Sequence, residues 1–239
     1  MKNETISVCM ATYNGEKHIR EQLLSILKQL GPRDEIIISD DHSKDKTIQI
    51  LEAFQDERIK IFYNENRGHT KNFENSLKNA SGDYIFLSDQ DDVWEENKIS
   101  VMTNFLKEHD FVVSDAKIVN EHLEPMGSTY FELRGGGQNG FWNNLVKAKY
   151  LGCCMAFQKK ILQKALPFPN DVQLCPHDLW LSLLAEFYYK TYVVKDSLIL
   201  YRRHGGNVST GGVKSTNSVF FKVQFRLYSF FKVLSRLKE

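Results

Sequence analysis

The sequence has no run of about 18 uncharged apolar residues, so nothing in it reads as a helix able to cross a bilayer. Its four cysteines, Cys9, Cys153, Cys154 and Cys175, form no Cys-x-x-Cys pair, and two of them are adjacent within an apolar run. That spacing argues against a structural zinc site or a redox pair and points to buried free thiols. Such thiols suit a reducing cytosol, and the glycosylation-like tripeptides Asn3-Glu4-Thr5 and Asn207-Val208-Ser209 are then coincidental. The chain also has almost no net charge, 31 basic against 30 acidic residues, so nothing pulls it as a whole towards nucleic acid. Met1-Lys2-Asn3-Glu4-Thr5 passes straight into a strand-like run without an apolar signal region. Internal repeats and low-complexity tracts are missing too.

What is present is the composition of a folded protein. At 239 residues, 42% of them hydrophobic, the chain suits one large domain with a sizeable core. The charge is unevenly spread: from Val213 onward six cations (Lys214, Lys222, Arg226, Lys232, Arg236, Lys238) face Glu239 alone, a local +5 that leaves −4 for the rest. In the first half strands and helices alternate. Ile6 to Ala11, Glu35 to Ser39, Ile59 to Tyr63, Asp83 to Leu87 and Phe111-Val112-Val113 read as strands. His18 to Leu30, Lys46 to Phe54 (capped by Ser43 or Asp45), Lys71 to Asn79 and Glu95 to Glu108 read as helices. This alternation predicts an α/β fold built of βαβ units around a mostly parallel sheet, with ligands beyond the carboxyl ends of the strands. Ser114 to Asn139 reads as loop-rich, with Arg134-Gly135-Gly136-Gly137 mobile. A strand over Leu151 to Phe157, a helix from Asp178 to Tyr188 and two short strands, Tyr192 to Val194 and Leu198 to Tyr201, follow. The boundaries expected are a domain over 1–212, with halves 1–115 and 116–212, and a tail over 213–239.

Polar groups gather at four of these strand ends or helix starts. The densest is Ser88-Asp89-Gln90-Asp91-Asp92-Val93-Trp94, three carboxylates after a buried strand. Carboxylates this close repel one another and need a cation or many donors to stay ionised together. Hard oxygen ligands of this kind suit Mg²⁺ or Mn²⁺ bridging to substrate phosphates. The plain alternative is a solvated turn capping the helix near Glu95. The other clusters are Ala11-Thr12-Tyr13-Asn14, Asp40-Asp41-His42-Ser43 and Cys175-Pro176-His177-Asp178-Leu179-Trp180.

Together these resemble the inverting family 2 glycosyltransferases, whose nucleotide-binding domain has the GT-A, Rossmann-like fold. The elements, in order, are Val8 to Asn14, Ser39 to Thr47, Asn66-Arg67-Gly68, Gly82-Asp83-Tyr84 and the pair Asp89 and Asp91, and the match runs to about Asn207. The resemblance implies a nucleotide-sugar site formed by Thr12, Tyr13, Asn14, Asp41, Gly68, Lys71, Asp89 and Gln90. Tyr13 is a wall for a uracil or thymine ring, and Asp41 an acceptor for its N3–H. Asp89 lies near the ribose. Asp91, with His204 of Tyr201-Arg202-Arg203-His204-Gly205-Gly206-Asn207, ligates the Mn²⁺ or Mg²⁺ that holds the diphosphate. Asp178 is the base that takes the acceptor hydroxyl's proton, with His177 a packing neighbour. Asp89-Gln90-Asp91-Asp92-Val93-Trp94 followed by Lys98, together with His177-Asp178-Leu179-Trp180, most resembles the rhamnosyltransferase-type members. That implies a dTDP-L-rhamnose or UDP-sugar donor and a saccharide acceptor, lipid-linked, at the inner face of the bacterial membrane.

A processive synthase of the same superfamily carries Gln-x-x-Arg-Trp and membrane helices, and a sugar nucleotidyltransferase carries a Gly-rich N-terminal loop; the sequence has neither. A non-catalytic nucleotide-sugar-binding or scaffold subunit is the rival from another class. In the tail, Phe220, Val223, Leu227, Phe230, Phe231, Leu234 and Leu237 share one helical face, with Lys222, Arg226, Lys232 and Arg236 opposite. Such a helix suits an anionic membrane interface; docking on the chain's own core or on a second subunit is the alternative.

Overall fold

A computed structural model describes residues 4–135, 137–205 and 218–238. Gly136 and the stretch 206–217, which holds the end of the Tyr201–Asn207 motif and the start of the predicted tail, lie outside the described residues. Three parallel strands, β1 (Ile6–Thr12), β2 (Glu35–Asp40) and β3 (Ile59–Tyr63), are joined by α1 (Ile19–Leu27) and α2 (Thr47–Glu52). Helix α3 (His69–Lys78) leads to β4 (Tyr84–Ser88), which pairs parallel with β1 on its other side. Strands β1, β2 and β4 are buried along their whole length, as parallel strands covered on both faces must be.

The second half completes a nine-stranded mixed sheet. It contains β5 (Val93–Trp94), α4 (Lys98–Leu106), β6 (Phe111–Val119), β7 (Pro125–Thr129), α5 (Tyr130–Arg134) and α6 (Phe141–Lys147). Then come β8 (Met155–Gln158), α7 (Ile161–Ala165), α8 (His177–Tyr188), β9 (Thr191–Arg202) and α9 (Val219–Ser235). The order is β3-β2-β1-β4-β8-β6-β9-β5, with β7 beside β6.

Three elements depart from the sequence reading. Ser114 to Asn139 is more ordered than its polar residues suggest: β6 runs on to Val119, and Asp115 accepts the N–H groups of Ala116 and Phe131. A Thr129–Glu132 capping box starts α5. The two short late strands are one, β9, with a register irregularity where Val194 and Ser197 face successive residues of β6; the polar Lys195-Asp196 between them mimics a break. Leu151 to Phe157 divides into a 3₁₀ turn, Gly152–Cys154, and β8.

The tail helix is not free-standing. It docks through Ser229 and Val233, both fully buried, beside the half-buried Phe225 and Tyr228. The Ser229 hydroxyl donates to the Leu174 carbonyl at 2.9 Å, and the Tyr188 hydroxyl donates to the Val233 carbonyl at 2.8 Å. A wheel ranks faces by hydropathy, so it passes over a docking face centred on serine. All four cysteines are buried free thiols, and no helix among the described residues is long and apolar enough to cross a membrane.

Glu35 ties the sheet's lower edge together. Its Oε1 accepts from the Ser7 hydroxyl, the Ser81 N–H and the Ser81 hydroxyl, and Lys60 Nζ lies 2.6 Å from Oε2. Burial alone raises its pKa, but the donors Lys60, Ser7 and Ser81 outweigh it and hold the carboxyl at about 2. An unfolded glutamate titrates near ~4.3, so this contribution is full above that pH and is lost as pH falls towards the folded value. The urea midpoint should therefore drop between about pH 5 and about pH 3, and drop less in Glu35→Gln. Equal drops in both proteins exclude Glu35 as a source of acid lability.

Candidate active site

The ends of β1, β2 and β4 and the starts of α3 and α8 open into one cavity of about 690 Å³. Thr12, Tyr13, Asp41, Gly68, His69, Asp89, Gln90, Asp91, Gly152, His177, Asp178 and Tyr201 all line it. Carboxylates from three segments remote in sequence, Asp41, Asp89 with Asp91, and Asp178, are thus brought to one place by the fold.

The nucleotide end is built by cross-links between strand ends. Asp40 turns inward, fully buried, accepting the Thr12 hydroxyl at 2.9 Å and the Ser43 N–H at 2.8 Å. Asp41 is left facing the cleft. Its Oδ1 accepts from Asn64 Nδ2 at 3.0 Å and its Oδ2 from the Gly68 N–H at 2.9 Å, which fixes the carboxylate while leaving lone pairs for a ligand. Gly68, at φ 109°, opens α3 with no atom within 4 Å of where a Cβ would stand. Its conformation, rather than space, demands glycine.

Tyr13 is 54% exposed, and its ring flanks the cleft. Gln90 clamps its backbone, accepting the Tyr13 N–H at 2.9 Å and donating to the Tyr13 carbonyl at 3.0 Å. Asn14, at φ 50°, joins the Ser43–Lys44 turn: its N–H donates to the Ser43 hydroxyl and its Oδ1 accepts the Lys44 N–H. Thr12, Asn14 and Gln90 thus shape the site through protein–protein bonds. Three predicted residues do not line this cavity: Asn14 and His204 line a second cleft of about 450 Å³ that shares Gln90 and Asp91 with it, and Lys71 pairs with Glu74 at 2.7 Å.

The three aspartates of the acidic motif differ in environment. Asp89 lies 3.5 Å from His69 Nε2; burial raises its pKa, and His69 outweighs this to keep the carboxylate ionised. Asp91 is pushed up by burial and by Asp89, against the His204 ring whose Nε2 sits 2.8 Å from its Oδ2. Asp92 is fully buried and pushed up further by burial, Asp91 and Asp89; its Oδ1 accepts the Arg202 N–H while Oδ2 has no hydrogen-bond partner. Its place is structural.

Asp89, Asp92 and Cys153 also bring an oxygen, an oxygen and a sulfur within 4.8 Å of one another. The Cys153 thiol is held well above its usual pKa, so it is a poor ligand, and the Lys98 ammonium is buried beside it, donating to the Cys153 carbonyl at 3.2 Å. Asp91 and His204 are the better pair for a dication. An acid raised by an acidic neighbour gains most from a cation, and carboxylate plus imidazole suits Mn²⁺ or Mg²⁺. The Arg202 guanidinium donates to the carbonyls of Asp91 and Glu121 and pairs with Glu21, fastening the acidic motif to α1.

Across the cavity Asp178 stands in the first turn of α8, its pKa raised by burial. Pro176 occupies the cap position, so Asp178 is not the N-cap; its Oδ1 accepts the Leu179 N–H at 2.8 Å. His177 is stacked on Phe73 at 4.3 Å with both ring nitrogens unpartnered, and burial lowers its pKa to about 3. A ring that resists protonation this strongly is a poor proton acceptor, so His177 packs. Gly152 makes that packing possible: a Cβ there would lie 2.6 Å from His177 Nε2.

Sequence reasoning missed His69. It follows Gly68 directly, and that adjacency was the signal available; its ring contacts His177 edge-on at 5.0 Å and bridges towards Asp89.

Residues 7–166 match the family model described as glycosyl transferase family 2. The chain belongs to this family. Among curated relatives, it is 33% identical to the dTDP-rhamnosyl transferase RfbG of Shigella flexneri over 83% of this chain and 72% of that protein. It is 30% identical to the UDP-Glc:alpha-D-GlcNAc-diphosphoundecaprenol beta-1,3-glucosyltransferase WfgD of Escherichia coli, over 78% of this chain and 72% of that one. Among solved structures, TarS of S. aureus in complex with UDP-GlcNAc superposes with a TM-score of 0.65 at 19% identity, covering 97% of this chain and 73% of that chain. The mannosyltransferase PcManGT from Pyrobaculum calidifontis, in complex with GDP-Man and Mn²⁺, gives 0.64 at 16% identity, covering 100% and 75%. At these identities the structural likeness establishes the GT-A fold, as the family 2 motifs implied.

Proposed function

We propose that this family 2 glycosyltransferase moves a sugar from a nucleotide-diphosphate donor to a saccharide acceptor by a metal-assisted, inverting displacement in bacterial surface polysaccharide synthesis. The observation that carries the reading is the single cavity shared by Asp41, Asp89, Asp91 and Asp178. Tyr13 walls the base and Asp41 accepts the N3–H of a uracil or thymine, a hydrogen that cytosine lacks. Asp89, oriented by His69, takes the ribose side. Asp91 and His204 would hold Mn²⁺ or Mg²⁺, which neutralises charge on the departing diphosphate. Asp178 faces this group from α8 and takes the proton of the attacking hydroxyl, its raised pKa making it a stronger base than an exposed carboxylate. One displacement by one base inverts the sugar's configuration.

The donor favoured is dTDP-L-rhamnose, with UDP-sugars next. It rests on the likeness of Asp89 to Trp94 and Lys98 to the rhamnosyltransferase type, and on similarity to RfbG. Trp94 and Lys98 are themselves buried and hold the turn. Similarity to WfgD favours a lipid-linked acceptor, and hence work at the cytoplasmic face of the membrane.

Incubation with Mn²⁺ and a panel of dTDP-L-rhamnose, UDP-glucose, UDP-N-acetylglucosamine and GDP-mannose tests the reading. Nucleotide release is expected from dTDP- or UDP-donors and not from GDP-mannose. Tight binding without release from any donor, even with extracts of lipid-linked saccharide added, favours the non-catalytic subunit instead.

A further inference from the structure

The outward face of α9 does not end with that helix. Val219, Phe220, Val223, Leu227 and Phe231 are exposed, Phe231 by 62%. Beside them α6 presents Trp142 and Val146, exposed by 66% and 53%. The two helices are joined: Phe230 lies between Trp142 at 5.7 Å and Phe231 at 5.6 Å, and Arg226 Nη2 donates to the Val146 carbonyl at 2.9 Å. The product is one rigid aromatic and aliphatic surface built from two elements. A patch of this kind on a folded protein marks an interaction site.

Charge decides the occupant. Neither α6 nor the described 218–238 segment carries an acidic residue, whereas Lys147, Lys222, Arg226, Lys232, Arg236 and Lys238 are basic. Of the acids on neighbouring elements, Asp178 of α8 lines the cavity, Glu186 of α8 accepts the Gly140 N–H and the Tyr150 hydroxyl, and Asp171 accepts the Gln173 and Leu174 N–H groups. A second copy docking about a two-fold axis would set this basic rim against itself. Apolar and aromatic side chains ringed by cations match the boundary of an anionic bilayer, where Trp and Phe enter the acyl edge and Lys and Arg meet headgroups.

We propose that α6 and α9 together form the surface by which this protein sits on an anionic membrane, next to the acceptor end of its cleft. This deepens the lipid-linked acceptor reading and rests on it for its purpose, though not for its geometry. The link to the cleft is the segment 171–174. Val172 lines the cavity, while the Asp171 N–H donates to the Tyr228 hydroxyl at 3.1 Å and the Leu174 carbonyl accepts from Ser229. A membrane holding α9 therefore lies one segment from the cavity wall at Val172.

Trp142 reports on this directly, because Trp94 and Trp180 are buried at 3% and 0% exposure. Titrating the full chain with phosphatidylglycerol vesicles should shift tryptophan emission to the blue. Phosphatidylcholine vesicles should not, and ~0.5 M salt should weaken the response. Trp142→Ser with Phe231→Ser should cut vesicle co-sedimentation at least about tenfold while the melting temperature and nucleotide release from the donor stay unchanged. Phosphatidylglycerol vesicles that neither shift the emission nor co-sediment the protein overturn the proposal. So does a dimer in light scattering that the double variant dissolves, which would make the face a subunit contact. Donor turnover is measured without vesicles, so failure of the transferase reading is scored separately.

Discussion

Replacing Asp178 by asparagine is expected to lower sugar transfer at least about a hundredfold while leaving nucleotide affinity unchanged, the usual scale for loss of a general base. The amide retains the shape and can still accept the Leu179 N–H, so the start of α8 should stay in place. What it cannot do is take a proton. Asp178 shares the cavity with Tyr13 and Asp41, the residues proposed to hold the nucleotide, so donor binding is a control internal to the experiment. Because burial raises the Asp178 pKa, the rate should also fall on acidification at a pH above the ordinary carboxylate range, ~4. Near-normal turnover in Asp178→Asn moves the base elsewhere. His177 is not the natural substitute, since it is stacked on Phe73 and held neutral.

Replacing Asp91 by alanine is expected to abolish both activity and the gain in nucleotide affinity that Mn²⁺ brings. In the wild type Asp91 is crowded by Asp89 and braced by His204, an arrangement that a dication relieves. Removing the carboxylate removes the bridge between protein and diphosphate. Calorimetry with UDP or dTDP, with and without Mn²⁺, checks this in the absence of turnover. If the metal strengthens binding equally in wild type and Asp91→Ala, Asp91 is not the ligand, and the Asp89, Asp92 and Cys153 cluster becomes the site to test. His204→Ala should show a smaller loss of the same kind, since one ligand and the waters remain.

Much of the first half was legible because local sequence and strand geometry agree there. Apolar runs ending in polar clusters at β1, β2 and β4 are what parallel strands buried on both faces must look like, and their ends converge whatever the loops do. Legibility stopped at contacts between residues far apart in the chain. Nothing near Gln90 says that it clamps Tyr13, 77 residues away. Nothing near Lys71 says that Glu74 takes its charge rather than phosphate, because a lysine one turn into a helix fits both. Nothing near Arg202 says that three of its donors reach Asp91, Glu121 and Glu21.

By itself the sequence determined the fold class, the family and which carboxylates stand at the strand ends, since these follow from hydrophobic period and from the motifs placed there. Only the tertiary structure decided how the three aspartates of one motif divide their work. Burial and partners, not order in the chain, leave Asp89 ionised by His69, Asp91 paired with His204 and Asp92 fully buried. It also decided which face of α9 docks. A buried serine with a hydrogen bond can anchor a helix as well as a leucine when its partner carbonyl is waiting, and that carbonyl, on Leu174, is 55 residues distant.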